Sequence, residues 1–493
     1  MTTTELGRDV GGRREVRPVA WRSILLPTVV VALALTLSSG AYGYHRDELY
    51  FRMLPARWGY VDQPPLTPFI ARTMAGLVDQ VWAMHLPATL LMAGSVVVMA
   101  LLARELGGDR SAQTLCAWAY GTALLPLEFS RVLLTATVDL VLWPLIVLLV
   151  VRAVVREEPR WWLLAGLVVG LSTYNKLLVA VLVVGVVAGI ALVGPRRLLR
   201  SPWPWGAGLV ALVVGAPNLV YQATHDWPQL TMGQALADAN GTEVRLVTLP
   251  LLLVMLGLPL VPVWGAGLVA LWRGSIHPEL RFLAAALPVV VALTLLGGSQ
   301  PYYPLGLLSV VLAAGCVVVA RQRWVVPAVV ANATVSVLVA LPVVPLAWLS
   351  ATPITTFNQV GQDQIGWPAH VARVAEVRDA LPPAQRRRSV VVADNYGEAG
   401  ALARYGPDHG ITQVYSAHNE LYYLGRPPES ATVAVVVGTS PSRLRGWFAS
   451  CRIVAQLDNG LGIGNQEQDQ PITVCRNPLG GWATVWPQMQ HHA

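Results

Sequence analysis

The sequence is short of charge. Only 13% of its 493 residues are Asp, Glu, Lys or Arg, about half the share of a soluble globular chain. Lysine is nearly missing: of 35 basic residues Lys176 is the one lysine, and the rest are arginine. Four cysteines stand far apart, with none of the spacings that mark a zinc site. The shortage of charge argues against a chain that is soluble throughout. The net charge of +7 sits in short loops and not in one basic block, which argues against nucleic acid as a partner.

What the chain has instead is apolar length. Hydrophobic residues make up 54% of it and the mean hydropathy is +0.51. Apolar runs near the length that crosses a bilayer recur at roughly 23–41, 81–103, 112–127, 135–151, 161–174, 177–193, 205–221, 246–272, 282–297, 304–320 and 325–347. The pattern predicts an α-helical polytopic membrane protein with about eleven spans. A cleaved signal peptide is the rival reading of the first run. No A-x-A-like site stands close behind it and ten more runs follow, so a retained helix is expected.

Basic residues alternate in density along the loops. With residues 1–22 cytoplasmic, the segments on that side hold 17 basic residues and the outward ones hold 7; 11 more lie beyond residue 350. This bias predicts a multi-pass plasma-membrane protein with its N-terminus inside and residues 350–493 outside. The expected division is a cytoplasmic tail 1–22, a membrane domain 23–349, and a soluble extracytoplasmic α/β domain 350–493. In the last, Ser389–Ala393 and Thr432–Val437 read as strands and Glu398–Tyr405 as a helix. The Pro/Gln-rich end reads as disordered. Cys451 and Cys475 share this region and are either bridged or two free thiols; Cys116 and Cys316 lie in apolar runs as core residues. A segment near 66–80 reads as an amphipathic helix lying along the membrane interface.

Polar residues collect in the outward loops. Asp47 and Glu48 follow the first span, in Tyr44-His45-Arg46-Asp47-Glu48-Leu49-Tyr50, and Asp62 and Gln63 open Asp62-Gln63-Pro64-Pro65-Leu66. Arg131 and Asp139 flank a later turn, Lys176 ends the fifth span, and His225 and Tyr302-Tyr303 occupy the last two loops. Acidic groups at a lipid boundary are costly unless they face water, a ligand or a cation. Carboxylates with cations on that face suit one reaction type. A sugar on a lipid phosphate is transferred to a hydroxyl or amine, with a carboxylate base taking the acceptor's proton. Fixed cations hold the leaving phosphate. Asp47 is the first choice for the base; Lys176, Arg131 and Arg46 suit the phosphate. A single displacement inverts the anomeric centre and needs no nucleophilic carboxylate.

At these residues the chain resembles the GT-C glycosyltransferases of the protein O-mannosyltransferase superfamily (glycosyltransferase 39-like), which includes the aminoarabinose transferases of lipid A. Asp47-Glu48 resembles the family's catalytic Asp-Glu pair, and Asp62-Gln63-Pro64-Pro65-Leu66 its acidic-x-Pro-Pro-Leu element. Asp139, Asn175-Lys176, Pro217-Asn218, His225-Asp226-Trp227-Pro228 and Gln300-Pro301-Tyr302-Tyr303-Pro304 resemble later segments. Asn395-Tyr396-Gly397-Glu398-Ala399-Gly400 and Ser416-Ala417-His418-Asn419 resemble the C-terminal domain of bacterial members. The likeness runs from about residue 23 to about residue 440.

The resemblance implies a polyprenyl-phosphate sugar donor, mannose by default, with no cofactor and no metal. It also implies membrane lipid around the site. The acceptor is left open among a protein, a glycolipid or cell-envelope polymer, and a peptide natural product. Two departures matter. Aminoarabinose transferases carry Lys where this chain has Gln63, and many relatives have Lys or His where Gln300 stands. Both remove positive charge and shift weight to Lys176 and Arg131.

Each candidate also has a plainer reading: Asp62 as a turn former, Asp139 as a helix cap, Lys176 as a snorkelling side chain, Tyr302-Tyr303 as interfacial anchors. Rival functions are a flippase for a lipid-linked glycan, which calls for polar groups and broken helices at mid-membrane, and a non-catalytic assembly scaffold.

Overall fold

The computed structural model describes residues 17–492; Arg8, Arg13 and Arg14 of the expected cytoplasmic tail lie outside them. The chain divides into two compact units. Of the described residues, the first takes 17–37, then Leu86–Arg131 and Thr135–Leu341. The second takes Ser38–His85, Val132–Leu134 and Pro342–Ala493. The expected boundary near 350 falls close to one of these cuts. Residues 38–85, assigned from sequence to the membrane domain, pack with the C-terminal residues instead.

The first unit is helical. Among the described residues, five helices are long and apolar enough to cross a bilayer: Trp21–Ser38, Val81–Glu105, Thr135–Val155, Pro202–Thr224 and Pro278–Gly297. Arg160–Ser172, Val179–Val193, Leu305–Val319 and Val325–Ala340 are shorter apolar helices of 13 to 16 residues. This is a multi-pass membrane protein. Glycines let its helices touch backbone to backbone. A Cβ on Gly166 would lie 2.2 Å from the Ala207 carbonyl oxygen, and one on Gly189 2.3 Å from that of Phe282. Between lipid-bathed helices, where apolar burial gives little drive, such close packing supplies the association.

Two expected spans are not single helices. The run 112–127 breaks at Thr122–Ala123, between Arg110–Gly121 and Leu124–Phe129. The run 246–272 is a bent pair, Pro228–Val254 and Leu258–Arg273, meeting at 71°. Consequently the outward loop expected across 222–245 shrinks to a few residues around His225–Trp227. The two breaks satisfy each other: Leu125 N donates to the Met255 carbonyl at 2.9 Å. The Asn332 side chain donates to the carbonyls of Thr122 and Leu256, both at 3.1 Å. Broken helices persist in lipid only when freed backbone groups find such partners.

The second unit is built on a five-stranded sheet. Its strands are β1 Ser389–Ala393, β2 Val414–Ser416, β3 Val433–Val437, β4 Phe448–Gln456 and β5 Pro471–Pro478, in the order β2-β1-β3-β5-β4. β1 pairs in parallel with β2 and β3, whereas β5 runs antiparallel to β3 and β4. β3, Val-Ala-Val-Val-Val, is buried throughout, as an unbroken β-branched run in a sheet covered on both faces should be. One face packs Leu49, Tyr50, Trp367, Val371 and Leu402. The other packs Trp482, Val485, Trp486 and Met489. These last belong to a helix, Trp482–Met489, so the end that reads as disordered is folded: two tryptophans pay for its order. Cys451 and Cys475 are joined in a disulfide across β4 and β5, where they are directly opposed. The helix Leu66–Leu77 buries Thr67, Pro68 and Ala71 and leaves Phe69 and Leu77 exposed.

Candidate active site

The acidic loop after the first span folds into the short helix Arg46–Met53 of the second unit. His45 is its N-cap, its Nδ1 accepting from Asp47 N at 3.1 Å. Glu48, three residues on, accepts from His45 N at 2.8 Å and closes a capping box. Its other oxygen accepts from Leu133 N at 2.8 Å. His85 Nε2 lies 3.2 Å from Glu48 Oε2, while His85 Nδ1 donates to the Ser39 carbonyl at 2.8 Å. Glu48 thus has no exposed side-chain surface and a full set of partners. Expected as catalytic alongside Asp47, it is a clamp that ties three chain segments together. His85, unnoticed in the sequence because it sits within an apolar run, is the residue opposite it.

Asp47 differs from its neighbour. Its side chain is 28% exposed. Oδ1 accepts from the Tyr396 hydroxyl at 2.9 Å, and Oδ2 has no protein partner among the described residues. Tyr396 is held from several sides. Its backbone N donates to His418 Nδ1 at 3.1 Å and its ring stacks on His418 at 5.2 Å. Tyr50 lies against the ring at 4.9 Å and the Arg46 guanidinium sits over it at 4.7 Å. Burial pushes the Tyr396 hydroxyl well above the usual phenol value, so it stays protonated and donates. Burial likewise drives His418 down to about 2, leaving a neutral ring whose Nδ1 accepts.

The sequence explains why Tyr396 stands there. Asn395 caps the helix Tyr396–Tyr405, with Glu398 completing a second capping box. A Cβ on Gly400 would lie 2.6 Å from the Leu49 carbonyl carbon, and one on Gly397 3.0 Å from Arg46 Cβ. The glycines of Asn-Tyr-Gly-Glu-Ala-Gly let this helix lie directly on Arg46–Met53.

Asp62 also belongs to this unit. Burial pushes its carboxyl up to about 7, against the pull of the nearby Tyr50 hydroxyl. Glu420 braces the preceding loop, accepting from Arg57 at 2.6 Å and from Val61 N at 3.0 Å. Gln63 is buried beside it. Arg46 is turned toward Gln466 and Glu467, so its charge serves the buried C-terminal carboxylates and not an open phosphate site. Burial raises Glu467 to about 7 and Glu398 to about 8.

The other candidates lie in the first unit. Asn175 donates to Asp139 Oδ1 and to the Thr135 carbonyl, both at 2.9 Å. Asp139 is therefore inside the first turns of Thr135–Val155 and is held by a side chain. The Lys176 ammonium lies 4.7 Å from the Tyr303 ring centroid and attracts Asp139. Tyr302 packs edge-on against Phe129 at 5.0 Å. Asp139, Tyr302, Tyr303 and Trp143 line one narrow cleft. Lys176, Asp139, Tyr302 and Tyr303 form a group. Arg131 is buried and donates to the Ala340 carbonyl at 3.2 Å. His225 is exposed and stacked on Tyr221 at 4.0 Å, one turn back on its own helix. Among the described residues, no three of His, Cys, Asp and Glu are placed to hold a common metal ion.

A family model described as dolichyl-phosphate-mannose-protein mannosyltransferase matches residues 62–221. No curated protein sequence matches the chain. Among solved structures, the apo crystal structure of ArnT from Cupriavidus metallidurans is similar with a TM-score of 0.61 at 14% identity, covering 93% of this chain and 98% of that one. ArnT from the same organism bound to undecaprenyl phosphate gives 0.58 at 14% identity, covering 92% and 97%. At this identity the likeness is one of fold.

Proposed function

The chain has the GT-C glycosyltransferase fold, and from that premise we propose that it is an inverting glycosyltransferase using a polyprenyl-phosphate sugar. Asp47 is the general base: it takes the proton of the acceptor hydroxyl or amine as that group attacks the anomeric carbon. The bond from that carbon to the phosphate oxygen breaks, and the lipid phosphate leaves with the electron pair. Lys176, set by Asp139 and Tyr303, offers the cation that offsets the phosphate's growing charge. Asp62 and Gln63 bind donor or acceptor hydroxyls. Mannose is the default sugar, and the acceptor is a secreted protein, an envelope glycolipid or polymer, or a peptide natural product. The site faces the extracytoplasmic side of the plasma membrane. The Cys451–Cys475 disulfide supports that side, since such bonds persist in oxidising compartments.

The observation that carries this reading is the contrast at Asp47-Glu48. Of two adjacent carboxylates, one is sealed by three groups and the other, on a partly exposed side chain, keeps one oxygen without a protein partner among the described residues. A flippase is not favoured: the helix breaks at Thr122–Ala123 and near Met255 both have their freed carbonyls bound by Asn332.

The test is Asp47→Asn with radiolabelled polyprenyl-phosphate mannose and a cell-envelope extract as acceptor. Loss of a general base lowers turnover by about 10²–10⁴-fold. Turnover within a fewfold of the parent would reject Asp47 as the base.

A further inference from the structure

The C-terminal helix Tyr396–Tyr405 reaches the proposed base through one contact, the Tyr396 hydroxyl on Asp47 Oδ1 at 2.9 Å. We propose that Tyr396 is a positioning residue for the Asp47 carboxylate, so that the C-terminal domain supplies part of the catalytic apparatus. This rests on the reading of Asp47 as the base.

The geometry argues for more than a chance contact. A carboxylate on the second residue of a short helix is free to rotate about its Cα–Cβ bond. One fixed donor on Oδ1 stops that rotation and leaves Oδ2 as the proton acceptor. The donor is itself locked, by His418 behind its backbone, by Tyr50 and His418 against its ring, and by Arg46 over its face. Such support is what holds a catalytic group within the small tolerances that proton transfer needs. Two glycines make the approach: no residue with a side chain fits between Gly400 and Leu49. Glu398 Oε2 accepts from the backbone of Asp394 and Asn395, while the Tyr396 hydroxyl donates to Asp47.

Other charged groups also act on Asp47. His45 Nδ1 lies 4.0 Å away on the same helix cap, and Arg46 attracts it. Asp62 and Asp363 repel it from neighbouring segments. All of them remain in a Tyr396→Phe variant, which removes only the hydroxyl.

The experiment compares full-length parent, Tyr396→Phe and Tyr405→Phe in detergent, without donor. Asp47 is labelled with a water-soluble carbodiimide across pH and quantified by mass spectrometry. A carboxylate that has lost a donor holds its proton more tightly. The labelling midpoint therefore rises in Tyr396→Phe and stays put in Tyr405→Phe. With polyprenyl-phosphate mannose, kcat falls severalfold, because a carboxylate free to rotate spends less time aligned for proton transfer, while the donor KM is unchanged. An unchanged midpoint in Tyr396→Phe overturns the inference, as does a drop in folded protein with no midpoint shift. If Asp47→Asn is inactive while Tyr396→Phe matches the parent, only the inference falls. If Asp47→Asn turns over normally, the base and its positioning residue fall together.

Discussion

Asp47 and Glu48 share a chemistry and part in environment. Helix geometry turns consecutive side chains about 100° apart, so one faces outward while the other points into the packing of Leu133 and His85. The consequence is a pair of opposite responses. Glu48→Gln keeps the size but offers only one acceptor oxygen to His45 N and Leu133 N. A buried donor is then left unpaired, at about 1–3 kcal/mol, and thermal unfolding in detergent should show a lowered midpoint. Asp47→Asn, lying at a wet surface, should melt within a degree or two of the parent while losing turnover. An Asp47→Asn variant that melts early, or a Glu48→Gln variant that does not, would undo the contrast. The sequence marks both residues as unusual because acids follow a membrane span. It does not separate them, because the separation depends on Leu133, 85 residues away.

Elements are legible where local chemistry decides them. β1 and most of the helix Tyr396–Tyr405 follow from a β-branched run and from Asn395 and Glu398 at capping spacing. The three strands not foreseen, β2, β4 and β5, have mixed composition, and β4 is an edge strand that is largely exposed. The helix breaks at Thr122 and Met255 are likewise hidden, since apolar residues continue through both and the cause is Asn332 on a third helix. At this scale the tightest contact is Gly400 on Leu49. Gly400→Ala forces the helices apart and should cost about 1–3 kcal/mol, as overpacking does. It should also lower turnover as Tyr396→Phe does, since both free the Asp47 carboxylate. A Gly400→Ala variant with full stability and turnover would show that the helices do not meet as described.

Across the molecule, the second unit stores its acids uncomfortably. Asp62, Glu398 and Glu467 titrate near 7 to 8 in the folded state and near 4 when unfolded. Between those values the folded chain holds more protons, so stability falls as pH rises through that range. His370, pushed down to about 4 by burial, and His418 work the other way, but their contribution is complete once pH passes the unfolded histidine value near 6.5. The melting temperature should therefore decline from about pH 6.5 to about 8, and Glu398→Gln should flatten the decline. A flat or rising profile in the parent would contradict the burial of these acids.

The whole-molecule plan was legible as membrane helices plus a C-terminal α/β region. That residues 38–85 pack with the latter was not, because hydropathy reports which segments avoid water and not which segments choose each other. That choice has a consequence for how the protein is made. Tyr396 leaves the ribosome 349 residues after Asp47, when the helices between them have already been synthesised. A growing chain thus carries Asp47 without its hydroxyl partner until the segment that holds Tyr396 has been made and folded.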